Sequence, residues 1–187
     1  MTLDNSLPNS EWFPMRVTYC REMKMKEQLD QLSIKNFVPM RYELVEGRAG
    51  RSLRLMPAIH NLIFVHTTQE NLTRLKTTCQ DLEPLRYMMR PVEGKTGEKE
   101  IIRVPEKQME NFIRVAQVTD ERVMFLEYND YLEKVGQRVK VTDGFFAGVE
   151  GTIKRIKNNR RVVVKIDGVA AVAIANVPVE YLMLIEE

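Results

Sequence analysis

The residues of this sequence that could do chemistry are mainly cations, and one group of them lies near the C-terminus. It surrounds an Asn-Asn dipeptide and consists of Lys154, Arg155, Lys157, Arg160 and Arg161. Lysine and arginine at this density can bind phosphate groups or an acidic protein surface. A solvated turn that is kept soluble by its charge fits the same residues, so both interpretations stay open.

A second group of cations runs from a predicted strand into a predicted helix. It consists of Arg16, Arg21, Lys24 and Lys26. Such side chains can follow the backbone of a single-stranded nucleic acid. An ordinary exposed helix face carries similar residues, so this alternative also stays open.

Patterns typical of enzymes and metal sites are absent from the sequence. It has no phosphate-binding loop, no dinucleotide-binding glycine pattern and no nucleophile elbow. His60 and His66 have no acidic or cysteine neighbour at ligand spacing, and Cys20 and Cys79 lie far apart. We therefore expect no enzyme activity, no cofactor and no metal site. We expect a cytoplasmic protein with reduced thiols, without a signal peptide or a membrane-spanning segment.

Residues 136–156 predict a strand, a glycine-rich turn and a second strand. Alternating apolar and charged residues indicate one buried strand face, and the glycines give the turn its backbone freedom. The residues that define this motif are Gly136, Val139, Val141, Asp143, Gly144, Phe146, Gly148 and Gly151.

Three more apolar runs, 161–166, 169–174 and 181–185, follow this motif and are separated by turn residues. With the two motif strands they predict a small five-stranded barrel of the SH3-like (Tudor) type, whose closure removes exposed edges. A helical form of this region is the alternative, and its β-branched side chains disfavour it.

Residues 12–117 alternate strand and helix patterns. Three helices are marked by apolar stripes: Met25, Leu29 and Leu32; Leu72, Leu75 and Cys79; and Met109, Phe112, Ile113 and Ala116. A capping box at 67–70 begins the second helix, and Pro105 begins the third. The order β-α-β-β-α-β plus a helix predicts a ferredoxin-like α/β sandwich, so the fold class of the whole chain is α+β.

Charge divides the chain into segments. Residues 1–117 carry 18 basic and 15 acidic side chains, 118–133 carry one and five, and 134–187 carry nine and six. We predict an N-terminal extension at 1–11, an α/β domain at 12–117, an acidic linker at 118–133 and a barrel domain at 134–187. The apolar content of the linker suggests that part of it docks on a domain.

The glycine-rich hairpin resembles the KOW motif of transcription elongation factors and some ribosomal proteins. A ferredoxin-like domain before such a barrel resembles the NGN–KOW arrangement of NusG-type transcription elongation factors, and Trp12-Phe13 resembles the aromatic pair that opens the NGN domain. Residues 56–65 resemble a strand of that family, with His60 where proline is usual and Leu62 where tyrosine is usual. Within the family, the short extension, residues 94–112 and the final barrel resemble the UpxY-type antiterminators of capsular polysaccharide loci.

This resemblance implies a binding function without catalysis. In the family, an apolar face of the NGN domain docks on the clamp helices of RNA polymerase, which disfavours pausing. The KOW domain contacts a ribosomal protein, termination factor Rho or RNA. Carried over, the polymerase-binding anchors are Trp12, Phe13, Ile59, Leu62 and Phe64, although strand neighbours of this kind can also be core residues.

We therefore expect a monomeric transcription antiterminator that acts on one or a few long operons, such as polysaccharide synthesis loci. The cations that begin at Arg16 would contact non-template DNA, and those that begin at Lys154 would contact nascent RNA or another partner. A ribosome-associated or free RNA-binding KOW protein is the alternative. Ribosomal KOW proteins lack a helix-bearing N-terminal domain and are usually far more basic than the net charge of +2 found here.

Overall fold

A computed structural model describes residues 9–47, 50–126, 136–156 and 159–185 of the chain. Two compact units are formed, one from Met1–Pro39 and Ile59–Glu106 and the other from Met40–Ala58 and Lys107–Glu187. The sequence predicted a different division, and its domain boundaries stay predictions. Residues 1–8 of the predicted extension and 127–133 of the predicted linker lie outside the described residues.

Short strands dominate the secondary structure of the described residues. The strands are β1 (Glu11–Val17), β2 (Asn36–Phe37), β3 (Met40–Gly47), β4 (Gly50–Pro57), β5 (Leu62–Thr67), β6 (Leu85–Tyr87), β7 (Met89–Pro91), β8 (Lys99–Ile101), β9 (Val123–Leu126), β10 (Arg138–Val141), β11 (Glu150–Ile156), β12 (Asn159–Ile166), β13 (Ala170–Ile174) and β14 (Leu182–Leu184). The α-helices are α1 (Glu22–Gln31), α2 (Gln69–Thr78) and α3 (Glu106–Ala116). Within the described parts of the chain, no helix is long and apolar enough to span a membrane.

The first unit contains an antiparallel sheet with the strand order β2-β5-β1-β6. Helix α1 connects β1 to β2, and α2 connects β5 to β6. The element order is therefore the predicted β-α-β-β-α-β, with the hairpin β3–β4 inserted before β5. The predicted mixed α/β class, with three helices and mostly antiparallel strands, is confirmed.

Helices α1 and α2 pack through the apolar stripes that the sequence predicted, with one difference. Met25, Leu29 and Leu72 are fully buried. Leu32 is 43% exposed, because α1 ends at Gln31 and Leu32 lies in its C-cap. Helix α2 begins after Thr68, whose hydroxyl accepts the N–H of Asn71 at 3.2 Å. The N-cap is therefore one residue later than the predicted capping box at 67–70 places it, because Thr67 still belongs to β5.

A proline in β1 limits the length of β6. Pro14 has no N–H to donate, so it makes only half of a ladder pair: its carbonyl accepts the N–H of Met88 at 3.3 Å. Because Pro14 has no N–H to offer, the carbonyl of Met88 accepts a hydrogen bond from the N–H of Ile102, at 3.0 Å. Beyond this point β1 pairs with a later segment, since Val104 donates to the carbonyl of Trp12 at 2.9 Å.

The second unit contains a six-stranded antiparallel sheet with the order β14-β10-β11-β12-β13-β9. The five strands predicted after Gly136 are all present as β10 to β14. Strand β9 is the sixth and pairs with β13, although its residues were assigned to the acidic linker. Leu126 of β9 is buried in one cluster with Ile156 and Val163. A β-rich C-terminal region is confirmed, and closure into an SH3-like barrel stays a prediction.

Candidate partner-binding surfaces

Most of the predicted polymerase anchors lie in the core. Trp12, Phe13, Leu62 and Phe64 are at most 3% exposed, and Ile59 is half-buried. Both faces of β1 are covered, so a partner cannot reach these four side chains in this conformation. Their assignment as anchors gains no support from the structure and stays an untested prediction.

Trp12 shows how these side chains are held. Its ring centroid lies 4.9 Å from that of His66, and the Lys35 ammonium lies 5.4 Å from its ring centroid. His66 Nε2 in turn lies 3.4 Å from a carboxylate oxygen of Glu106. None of the described residues hydrogen-bonds the buried indole Nε1. The packing around Trp12 therefore stabilises it by apolar and ring contacts rather than by a hydrogen bond.

An exposed apolar face lies on the hairpin β3–β4, where the sequence analysis assigned no site. Tyr42 is opposite Leu55 and Leu44 is opposite Leu53, so the four side chains share one face. They are 47–64% exposed. We call these four residues the hairpin apolar face. The alternation of apolar residues in 41–45 and 52–55 is the sequence signal that could have revealed it.

The opposite face of the hairpin is mainly polar. Glu43 is opposite Arg54 and also contacts Arg41. The Arg51–Glu46 ion pair, at 3.1 Å, lies instead on the apolar side, beyond Leu44 and Leu53 at the turn end of the hairpin. The hairpin is therefore amphipathic, and exposure of its apolar side to water is unfavourable unless something covers it.

The four predicted DNA-contacting cations differ in their surroundings. Lys24 pairs with Asp81 at 3.2 Å, and Lys26 pairs with Asp30 at 2.8 Å. The Arg21 guanidinium lies 5.4 Å from the ring centroid of Tyr19, and Arg16 is exposed on β1. Both arginines are therefore more available to a new partner than the two lysines.

The residues of the glycine-rich motif serve the backbone and the core of the second unit. Val139, Val141 and Phe146 are buried. Gly144 and Gly148 have φ values of +79° and +88°, which disfavour side chains. The other two glycines of the motif have no room for a Cβ atom. At Gly136 this atom would collide with the carbonyl oxygen of Ile153, and at Gly151 it would lie 2.7 Å from the carbonyl oxygen of Val163. Asp143 caps the turn by accepting the N–H of Gly144 at 2.6 Å.

The turn also exposes an aromatic ring. Phe145 is 67% exposed, and the guanidinium of Arg122 lies 5.1 Å from its ring centroid. Aromatic side chains are enriched among the residues that contribute most to binding at protein interfaces. Phe145 thus offers an apolar contact point on the second unit.

Four of the five C-terminal cations face one another as like charges. Lys154 is opposite Arg161, and Arg155 is opposite Arg160, in the β11–β12 register. Lys157 lies outside the described residues. Burial, together with the nearby charge of Lys165, lowers the pKa of Lys154. Like charges placed directly opposite each other destabilise a sheet.

Helix α3 hydrogen-bonds to the sheet of its own unit through its polar side chains. Lys107 forms an ion pair with Glu150 at 2.8 Å. The hydrogen bond from Lys107 lowers the pKa of Glu150 and outweighs the effect of burial, which raises it. Asn111 accepts the Glu150 N–H at 3.3 Å, and Arg114 donates to the Ala147 carbonyl at 2.7 Å. Gly148 leaves the space for Arg114, because a Cβ atom there would lie 2.8 Å from Nη1.

Comparison with known proteins identifies one family. Residues 10–113 match the family model described as transcription termination factor NusG. No curated protein matches the chain significantly. The match includes the first unit's sheet and the β3–β4 hairpin, and it ends before β9.

Burial predicts that Trp12 is needed for folding. We expect Trp12→Ala to lower the free energy of unfolding by about 3–5 kcal/mol, because it removes a large core side chain. Urea denaturation followed by circular dichroism measures this. The control Ile59→Ala is expected to cost about 1 kcal/mol or less, since Ile59 is only half-buried. A Trp12→Ala variant of unchanged stability that no longer bound polymerase would contradict a core role and support Trp12 as an anchor.

Proposed function

Because the chain belongs to the NusG family, with residues 10–113 of its 187 matched, we propose that it binds the clamp helices of RNA polymerase and suppresses pausing or termination on a few long operons. NusG proteins are non-enzymatic transcription elongation and antitermination factors that bind RNA polymerase. Binding to the clamp helices and selection of operons are the parts that we propose. Capsular polysaccharide loci, which the UpxY resemblance suggests, are the class of operon that we expect.

The observation that carries this proposal is the hairpin apolar face. It lies within the residues matched by the family model. It also supplies an exposed aromatic anchor, Tyr42, beside three leucines, which suits burial at a protein interface. By contrast, burial removes Trp12, Phe13, Leu62 and Phe64 from the accessible surface. The hairpin apolar face is therefore our preferred contact surface for the clamp helices.

The six-stranded sheet and its glycine-rich turn support a second contact in the same proposal. A KOW domain closed as an SH3-like barrel would present Phe145 to a protein such as a ribosomal protein or Rho. The like-charge pairs on β11 and β12 would contact nascent RNA. The buried Nε of Arg161 supports an anionic ligand, since none of the described residues hydrogen-bonds it.

Substitution on the hairpin tests the polymerase contact. We expect Tyr42→Ser with Leu55→Ser to weaken binding to purified RNA polymerase at least tenfold, because an interface would lose two apolar anchors. Stability should change by less than about 1 kcal/mol, since both side chains are about half exposed. Affinity is measured by biolayer interferometry on the intact protein.

A matched control for this experiment lies on the opposite face of the same hairpin. Glu43→Ser with Arg54→Ser also changes one cross-strand pair and should leave polymerase affinity within about twofold. Equal affinity of both double variants and the unmodified protein would exclude the hairpin apolar face. A pull-down that recovers ribosomal RNA without polymerase would favour the alternative, a ribosome-associated or free RNA-binding protein.

Substitution of one like-charge pair tests the RNA contact. Replacing Arg155 and Arg160 with serine should weaken RNA binding. It should also reduce the slope of log affinity against log salt concentration by about 1.4, because each lost phosphate contact accounts for about 0.7. The same change should stabilise the fold at low salt by about 0.2–1 kcal/mol, because it removes like charges that face each other. Unchanged RNA affinity and salt slope would show that the pair is only a solvated turn.

Genome-wide occupancy tests the operon specificity. We expect the protein to concentrate on one or a few long operons, measured by chromatin immunoprecipitation. Arg16→Ser with Arg21→Ser should reduce this loading more than Lys24→Ser with Lys26→Ser, because the lysines already pair with carboxylates. Uniform occupancy of all transcribed genes would contradict a specialised factor and indicate a general elongation factor.

A further inference from the structure

Three potential metal ligands that are far apart in sequence meet in the first unit. Cys20 lies in the connection between β1 and α1, Glu22 is the first residue of α1, and His60 lies in the turn before β5. The thiol sulfur, a carboxylate oxygen and an imidazole nitrogen all lie within 4.8 Å of one another. We propose that these three side chains bind a zinc ion, a function that is independent of the proposed polymerase contact.

The chemistry of the three groups suits zinc. Cysteine, histidine and glutamate are all zinc ligands, with bond lengths of about 2.0–2.3 Å. A thiolate and an imidazole select against magnesium and calcium, which prefer oxygen ligands. Tetrahedral bonds of these lengths place ligand atoms about 3.3–3.8 Å apart, so a shift of roughly one ångström would form the site. Cys20 and His60 are exposed and can make this shift.

Glu22 is the strongest indication that the cluster binds a cation. Its side chain is 1% exposed, and it forms no ion pair with any described residue. A buried carboxylate is costly unless it is paired or coordinates a metal. Glu22 accepts the backbone N–H of Asn61 through Oε1. This hydrogen bond fixes the carboxylate, as outer-shell partners of metal ligands do.

Asn61 also connects the two segments that carry the ligands. Its side-chain oxygen accepts the N–H of Cys20 at 3.1 Å, and its carbonyl accepts the N–H of Val17 at 2.9 Å. Three non-glycine residues here have left-handed φ values: Tyr19 at +62°, Cys20 at +50° and Asn61 at +61°. Such unfavourable conformations gather at functional sites, where the surrounding structure holds them in place.

A cobalt titration of the intact, reduced, metal-free protein tests the site. Co²⁺ replaces zinc and gives a near-ultraviolet thiolate-to-cobalt charge-transfer band only when a thiolate binds it. We expect the band to reach saturation at one equivalent and to disappear when one equivalent of Zn²⁺ is added. Zinc affinity, measured by isothermal titration calorimetry, should fall at least 100-fold in Cys20→Ser and at least tenfold in His60→Asn.

Two further variants separate metal binding from structural roles. Glu22→Gln keeps an oxygen to accept the Asn61 N–H, so it should fold normally and still lose at least tenfold in zinc affinity. Cys79→Ser removes the other thiol and should bind like the unmodified protein. When a chelator removes all metal, Cys20→Ser should melt at the same temperature as the unmodified protein. Added zinc should raise the melting temperature of the unmodified protein but not that of Cys20→Ser.

The proposal fails if no thiolate-to-cobalt band forms at one equivalent. It also fails if the band survives Cys20→Ser or is lost in Cys79→Ser. An unchanged zinc affinity in Glu22→Gln would show that Glu22 only holds the turn at Asn61, and the three-ligand site would be excluded.

Discussion

The first unit depends on a central strand that is buried on both faces. Strand β1 lies between β5 and β6, and in its register with β5 Trp12 lies opposite His66 while Phe13 lies opposite Val65. Trp12 and Phe13 point to opposite faces, yet both are at most 1% exposed. A one-residue slip would exchange the two faces and move the charged Arg16 into the core. Burial of both faces therefore fixes the register, and the register fixes which residues remain at the surface.

The same burial shows what apolar periodicity can predict and what it cannot. The order of elements, the three helices and the five C-terminal strands follow from apolar periodicity and from residues such as Thr68 and Gly148, so they were predictable. Periodicity gives the faces of a strand, but it does not say whether one or both are covered. For this reason the sequence could not predict that Trp12 and Phe64 are buried, and their role as anchors stays a prediction.

Other features depend on contacts between distant parts of the chain. Strand β9 was interpreted as linker because its neighbours are acidic, whereas its four apolar residues pair with β13, more than forty residues later. Glu22 and His60 are 38 positions apart, and only the folded chain brings them together through Asn61. No local pattern contains such information, because the free energy that holds these groups comes from the whole unit.

Two exposed features of the second unit share a physical property: each is unfavourable in the isolated protein. The hairpin apolar face leaves four large side chains in water, and the β11–β12 register places cations opposite cations. Core positions of the same chain show no such tolerance, since even a single Cβ at Gly151 would meet a carbonyl. The core of this protein is closely packed, whereas two of its surfaces carry unfavourable side-chain arrangements. This combination fits a protein whose surfaces are covered by binding partners, as those of an elongation factor on a transcribing polymerase would be.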